Sequence, residues 1–341
     1  MSGELGLAAS RIDAVLAPLA DFEALLLAIS GGPDSTALLC MTAEWAGRVP
    51  RPPRLAAATV DHRLRQESAD EAAAVGALCG RLGVPHRVLV WTGDKPKTRL
   101  QERARTARYA LLAAHAREIG ASAIVAAHHL DDQAETTLFR LARGSGIGGL
   151  RAMAARVDLA GVVLLRPLLG VAKRDLVAYC ANRGLEYARD PSNLDPRFAR
   201  TRMRKLTADL AAEGLDAAAF ARLARRAGRI EDALARQTQS AAARLGLVER
   251  ETCDADALFA EPAEIVQRLI AEMIVRVGGR PSVRLALGKI ETLIDNLARA
   301  HAVGAPFSAN LGGARVRLGR GALRVEPEPP RRSAAAPRPL G

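Results

Sequence analysis

Two short segments gather residue types that could do chemistry. The first is Ser30-Gly31-Gly32-Pro33-Asp34-Ser35, which follows an apolar run and opens a helix-like stretch. Consecutive small residues let a backbone wrap closely around an anion, and the amides and dipole at a helix start stabilise phosphate charge. Ser30 and Ser35 add hydroxyl donors. Asp34 is the odd member. A carboxylate beside phosphate is repulsive unless a cation bridges the two, so it points to Mg²⁺. The plainer alternative is a strand-to-helix turn with Asp34 or Ser35 as N-cap. The second segment is His128-His129-Leu130-Asp131-Asp132-Gln133-Ala134-Glu135-Thr136, again after an apolar run. Carboxylates there could hold a cation or accept a proton. Asp131 and Glu135 are four apart and share a helix face, while Asp132 points elsewhere. Either aspartate could equally be a plain N-cap. His128 and His129 could touch phosphate or base, or simply be packed, and with no cysteine beside them zinc is not expected.

Arginines form a third pattern. Arg222, Arg225, Arg226 and Arg229 have i, i+3, i+4, i+7 spacing and so share one helix face, which suits a polyanion. Arg140, Arg143, Arg200 and Arg204 are further candidates for phosphate contacts, each as readily a solvated surface charge. Two phosphate-binding motifs are excluded. No Gly-Lys-Ser/Thr follows Gly32, so the loop is not a Walker A. Gly144-Ser145-Gly146-Ile147-Gly148-Gly149 matches a dinucleotide fingerprint but follows a predicted helix instead of a strand, and reads as a flexible loop near the site.

These segments need elements to position them. Apolar runs at Ala24–Ile29, Leu55–Val60, Arg87–Val90, Ala123–Ala127 and Val162–Leu165 suit buried parallel strands. Between them, Ser35–Trp45, Ala69–Leu82, Leu100–Ile119, Asp131–Ala142 and Val171–Asn182 read as helices. The alternation predicts an α/β fold, a doubly wound parallel sheet whose ligands lie beyond the carboxyl ends of the strands. From Arg200 the chain turns helical through Leu245, then again over Glu261–Val277 and Ser282–Ala300; Ala314–Leu318 and Ala322–Val325 predict a β-hairpin. The expected organisation is a nucleotide-binding and catalytic domain over residues 1–205, a helical region over 206–304, a small C-terminal β-hairpin over 305–327 and a disordered tail over 328–341.

Composition adds limits. The 341 residues carry a formal net charge of +12, and only 3% are aromatic, so phosphate contacts by arginine are a better expectation than base stacking. Cys40, Cys79, Cys180 and Cys253 are far apart and form no CxxC, which fits no metal or disulfide framework and suits a reducing, cytoplasmic setting. Residues 1–20 lack the apolar core of a secretory signal, and no apolar run of about twenty residues predicts a membrane span.

The string SGGPDS resembles the PP-loop of N-type ATP pyrophosphatases, and several further segments narrow the likeness. These are Val60-Asp61-His62-Arg63-Leu64-Arg65, the His128–Thr136 segment continuing to Gly146, Ala104-Arg105 with Arg108-Tyr109, Arg166-Pro167-Leu168-Leu169, and Asp190-Pro191-Ser192-Asn193. Together, over roughly residues 24–205, they resemble the tRNA(Ile)-lysidine synthetase family. Thr201 stands where that family has Asn in Arg-Asn-x-x-Arg, and the C-terminal part is shorter than in its long members. Contacts made there by a full second C-terminal domain are therefore absent or rebuilt.

The resemblance implies a fold of the PP-loop ATPase type and a reaction in which ATP adenylates the C2 oxygen of the wobble cytidine in a CAU anticodon. L-lysine then displaces AMP, and pyrophosphate is the other product. The lysine ε-amine, with a free pKa of about 10.4, must lose a proton before attack. On this reading Ser30, Gly31, Gly32, Pro33, Asp34, Ser35, Asp61 and His62 bind ATP. Asp34, Asp131, Asp132 and Glu135 are catalytic, one face of the acidic cluster serving lysine and the other Mg²⁺, with Asp34 and Asp132 as metal ligands. His129, Arg140, Arg143, Asp190, Ser192, Asn193, Arg200, Arg204 and the four arginines from Arg222 to Arg229 meet substrate or tRNA. The expected partners are tRNA(Ile) with a CAU anticodon and L-lysine, with no membrane; a homodimer is allowed. The alternatives are a tRNA sulfur transferase, a metabolite synthetase of the GMP or NAD type, and a non-catalytic tRNA-binding protein. Cysteine chemistry separates the first, and AMP formed only with lysine and tRNA separates the rest.

Overall fold

A computed structural model describes residues 7–63, 68–92, 100–159, 161–188, 199–279 and 285–329. The expected tail from residue 330 and Asp190, Ser192 and Asn193 lie outside the described residues, as does the side chain of Arg200. The chain divides into two compact units, residues 1–143 with 149–225, and residues 144–148 with 226–341.

In the first unit, helix α1 (Ala9–Leu16) precedes strand β1 (Ala24–Ala28), α2 (Pro33–Ala46), β2 (Arg54–Asp61), α3 (Ser68–Arg81), β3 (His86–Val90), α4 (Leu100–Glu118), β4 (Ala123–Ala126) and α5 (Leu130–Leu141). After a one-turn α6 (Ile147–Leu150), whose first two residues belong to the second unit, come strands β5 (Arg156–Leu159) and β6 (Val162–Leu165), α7 (Lys173–Asn182) and α8 (Ala199–Ala212). The strands form one sheet in the order β3-β2-β1-β4-β6-β5. β1, β2, β3, β4 and β6 are parallel, which bears out the doubly wound class. β1 lies inside the sheet, and Leu25, Leu26 and Leu27 are fully buried because helices cover both faces. Losing one of these leucines to Ala should cost roughly 2–5 kcal/mol.

One strand departs from the parallel pattern. β5 pairs antiparallel with β6 at the sheet edge. Its sequence, Arg-Val-Asp-Leu, alternates exposed charge with half-buried apolar residues, the pattern of an edge strand and not of a buried run. The strand order reverses between β1 and β4. β1 connects toward β2 and β3, while β4 connects toward β6, so the loops leaving β1 and β4 diverge and open a crevice at the carboxyl edge. Both chemistry-bearing segments, Ser30–Ser35 and His128–Asp132, lie on these two loops.

Helix α9 (Ala217–Arg244) begins in the first unit and ends in the second. Then come β7 (Thr252–Asp254), α10 (Ala255–Phe259), α11 (Ala263–Gly278), α12 (Leu287–Ala302), β8 (Phe307–Leu311), β9 (Ala314–Gly319) and β10 (Ala322–Pro327). The predicted hairpin is β9–β10, turned at Arg320 and Gly321, both with positive φ. It is only the middle of a four-stranded antiparallel sheet, β7-β10-β9-β8. Its apolar side, including Val316, Leu323 and Val325, packs with Ile270 and Ile274 of α11 and Leu293 and Leu297 of α12. A lone hairpin is marginal in water, and the added strands and helices supply the burial it needs. Among the described residues, no helix is long and apolar enough to cross a membrane.

Candidate active site

The loop after β1 is held in shape by its own glycines and serines. Gly31 has φ +83°, a conformation that resists any side chain, and its carbonyl accepts the Ala188 amide at 2.8 Å. Gly32 is the N-cap of α2 and has no side chain to cap it, and Pro33 occupies the first turn. The amides opening α2 therefore meet no capping side chain. Ser35 Oγ donates to the Gly32 carbonyl at 3.1 Å and accepts from the Ser30 amide at 3.2 Å; the Ser30 and Ser35 hydroxyls are 3.2 Å apart. The serines thus brace the loop's shape as well as lining it. Asp34 Oδ1 is buried and has no hydrogen-bond partner, an arrangement that costs free energy unless something fills it.

The loop after β4 meets the loop after β1. His129 is the N-cap of α5. Its Nδ1 accepts from the Asp132 amide at 3.3 Å, while Asp132 Oδ2 accepts from the His129 amide at 3.1 Å, a reciprocal capping box. His129 Nε2 lies 3.4 Å from Asp34 Oδ2 and 3.5 Å from Asp132 Oδ2, and Asp131 Oδ2 is 3.6 Å from Nδ1. Burial disfavours the imidazolium, but hydrogen bonding to Asp34 and the charges of Asp132, Asp34 and Asp131 outweigh it, so the His129 pKa is raised above its ordinary value. The cap pulls the other way, since it needs a bare Nδ1. At 2% side-chain exposure His129 is an internal organiser of carboxylates, not the substrate-facing residue expected.

The acidic cluster divides by contact in a way its helical spacing did not suggest. Asp132 sits with Asp34 around His129. Asp131 Oδ2 accepts the Lys173 amide at 2.8 Å and so holds the start of α7. Glu135 turns the other way. Its Oε1 accepts from Arg204 Nε of α8 at 2.8 Å, and its Oε2 is buried without a partner. Lys173 Nζ reaches to 3.8 Å of Asp34 Oδ2.

Other expected residues are engaged elsewhere. Asp61 Oδ1, at the end of β2, accepts from the Arg63 amide at 2.7 Å and Ser68 Oγ at 2.8 Å. Desolvation raises the Asp61 pKa, but these bonds and the nearby positive charge outweigh it and lower it. His62 stands edge-on to Trp91 with ring centroids 5.7 Å apart, and its Nε2 faces Arg108 Nη2 at 3.2 Å. Arg140 donates to the Gly149 and Ala152 carbonyls at 2.7 and 2.9 Å, so it anchors backbone and is not presented to phosphate. Arg143 is exposed and lies over the Phe139 ring at 4.1 Å. Arg222, Arg225, Arg226 and Arg229 are all exposed on α9, while Ala221, Ala224 and Ala227 are buried. The alanines face the packed side and leave the arginines outward.

Sequence reading missed two features. Arg166, 7% exposed, donates from Nε to His128 Nδ1 at 3.3 Å and from Nη1 to the Ala154 carbonyl at 2.6 Å. That leaves the proton of neutral His128 on Nε2. Lys173 was the other. Both lie in the stretch after β6; the sequence marked Arg166 only as part of the Arg166–Leu169 segment, with no role, and did not mark Lys173 at all. The cysteines bear on the sulfur-transfer alternative. All four are buried and unpaired. Burial pushes the thiols of Cys40, Cys79 and Cys253 to about 11 and that of Cys180 to about 12, which makes them poor nucleophiles and metal ligands.

Comparison with known proteins places this geometry in a lineage. A family model described as a PP-loop domain matches residues 7–210. The tRNA(Ile)-lysidine synthase of Methylobacterium sp. (strain 4-46) is 49% identical, covering 90% of this chain and 90% of its own. That of Rhodopseudomonas palustris is 47% identical, covering 91% and 92%. Among solved structures, the U34-tRNA thiolase NcsA of Methanococcus maripaludis superposes with a TM-score of 0.55 at 17% identity, covering 64% of this chain and 77% of that one, a likeness of fold alone.

Proposed function

The chain belongs to the tRNA(Ile)-lysidine synthase family, and from that premise we propose that it joins L-lysine to C2 of the wobble cytidine in the CAU anticodon of tRNA(Ile), using ATP. Lysidine, AMP and pyrophosphate are the products, and the anticodon changes from reading AUG to reading AUA. The work belongs in the cytoplasm, where tRNA is matured for decoding.

Two steps follow from the chemistry. The cytidine C2 oxygen is a poor leaving group. It bonds to the α-phosphorus of ATP as the bond to the α,β-bridging oxygen breaks, and pyrophosphate departs with that electron pair. The lysine ε-amine then adds at C2, and AMP leaves. In the first step, the uncapped amides opening α2 and the hydroxyls of Ser30 and Ser35 seat the phosphates. His129 holds Asp34 and Asp132 together. In the second, the open Oε2 of Glu135 receives the lysine ammonium and takes its proton, while Arg204 holds the other oxygen.

Magnesium fits the residues present. Asp34 Oδ1 is a buried oxygen lacking a partner, and Asp132 stands across the same imidazole. Magnesium is usually held by one or two carboxylates with phosphate oxygens, so the cluster of three protein ligands that is absent among the described residues is not required. Bound there by Asp34 and Asp132, it would neutralise phosphate charge. For tRNA, the outward arginines of α9 supply a sequence-independent phosphate contact.

The observation that carries this reading is the meeting of an uncapped helix start with Asp34 and its orphaned oxygen at the reversal point of the sheet. The test follows label from α-³²P ATP. Wild-type protein should transfer label to a CAU-anticodon tRNA and release pyrophosphate when lysine is withheld, and should release AMP only when L-lysine and that tRNA are both present. Glu135→Gln should accumulate the adenylated tRNA. AMP release independent of tRNA would overturn the proposal.

A further inference from the structure

The phosphate loop contains no lysine or arginine, yet the pyrophosphate that leaves carries more charge than backbone amides usually meet alone. A cation reaches the loop from elsewhere. Lys173 is the first residue of α7, and its Nζ lies 3.8 Å from Asp34 Oδ2. That separation is the outer limit of an ion pair and leaves the ammonium loosely held. Its side chain is 34% exposed, whereas that of the adjoining Arg174 is 87% exposed, so of these two neighbouring cations one is turned into the site and the other into solvent.

The turn inward has a cause in the backbone. The N-cap of α7 is Ala172, which offers no capping side chain. Asp131, from the start of α5, takes that role by accepting the Lys173 amide at 2.8 Å. Asp131 therefore fixes where Lys173 begins, and Asp34 marks where its ammonium rests.

We propose that Lys173 contacts the β- and γ-phosphates of bound ATP and neutralises the charge that gathers on pyrophosphate as it leaves, and that Asp131 is the positioning residue that holds it there. This rests on the ATP-dependent adenylation proposed above. As the cytidine oxygen bonds to the α-phosphorus, the electron pair of the breaking bond moves to the bridging oxygen. Lys173 meets that charge without giving up a proton. The loose contact with Asp34 suits this, because a four-carbon stem can swing from a carboxylate to an arriving phosphate.

Lys173→Met, Lys173→Arg, Asp131→Asn and Asp131→Ala test it, with circular dichroism confirming the fold of each. Calorimetry reads the affinity for ATP and AMP, and product inhibition reads pyrophosphate. Lys173→Met should weaken ATP and pyrophosphate about ten- to a hundredfold, the loss of one charge-assisted contact, while AMP changes less than about twofold. It should slow adenylation on the order of a hundredfold. Lys173→Arg should recover much of both. Asp131→Asn keeps an oxygen for the Lys173 amide and should retain more ATP and pyrophosphate affinity than Asp131→Ala, which should reproduce part of the Lys173→Met pattern. Unchanged pyrophosphate inhibition in Lys173→Met, or AMP weakened as much as ATP, would overturn the assignment. A collapse of Asp131→Asn equal to that of Asp131→Ala would overturn the positioning role. The two proposals fail separately. If wild-type protein makes no AMP from lysine and tRNA, yet binds pyrophosphate through Lys173, the reaction is wrong and the phosphate contact stands.

Discussion

The turns after β1 and β2 leave the same edge of the same sheet, and each carries an aspartate, yet they are chemically unlike. At the first, Asp34 keeps one buried oxygen without a partner and α2 opens without a capping side chain. At the second, Asp61 spends its Oδ1 on the Arg63 amide and Ser68 Oγ, which ties the chain into its next helix. Asp34 keeps one oxygen for something outside its own turn, whereas the bonds of Asp61 to Arg63 and Ser68 close the turn on itself. A polar group at a sheet edge is poised for a ligand when its own fold leaves it unsatisfied, because only then does binding repay a cost already incurred in folding. The arginines divide likewise. Arg140 is spent on backbone carbonyls and Arg204 on Glu135, whereas the four outward arginines of α9 meet no carboxylate among the described residues.

The contrast can be broken most directly at Asp34. Asp34→Asn should lower lysine-dependent AMP release on the order of a hundredfold or more while the melting temperature moves by no more than about 2 °C. Near wild-type turnover would mean that the open oxygen has no ligand. Next in size is the α9 face. Replacing Arg222, Arg225, Arg226 and Arg229 with Ala should weaken tRNA binding and flatten its salt dependence, each lost phosphate contact removing roughly 0.7 to 0.9 from the log–log slope. An unchanged slope would show those charges to be merely solvated.

Asp61→Ala should sharpen the comparison by its mildness. Losing two local bonds should cost roughly 1 kcal/mol in chemical denaturation, and ATP affinity should fall by no more than about fivefold. A loss as large as that of Asp34→Asn would erase the distinction between the turns. The smallest expected effect is at His129. Its pKa is raised above 6.5 in the fold, so the carboxylates stabilise its charged form. That contribution is fully present below the unfolded value and is lost as pH rises through the folded one. His129→Asn keeps a capping oxygen but loses the charge. The melting temperature of wild type should therefore exceed that of the variant below pH 6.5, and the gap should narrow as pH rises through the raised folded value. A gap that instead widens with pH would show that the bare Nδ1 of the cap outweighs the carboxylates.

Much of this was legible in residues alone. Leu25, Leu26 and Leu27 announce a strand buried on both faces, and the small residues after Ile29 announce a tight strand-to-helix turn, because hydrophobic period and glycine freedom are local properties. β5 was not legible, since four residues of alternating charge resemble a loop until β6 offers an edge to pair with. Nor were β7 and β8, short segments that become strands only beside the hairpin they extend.

By itself the sequence determined the fold class, the small-residue turn after β1, the acidic cluster and the outward arginines, all of them consequences of residue type and spacing. Only the tertiary structure decided which of those groups stay open. Helical spacing joined Asp131 to Glu135, but the packing of α7 and α8 assigns Asp131 to the Lys173 amide and Glu135 to Arg204. It also brings Lys173, 139 positions from Asp34 in the chain, to 3.8 Å of that carboxylate. The satisfaction of a polar group depends on what the rest of the chain places beside it, and neighbours in space are set by how the elements pack.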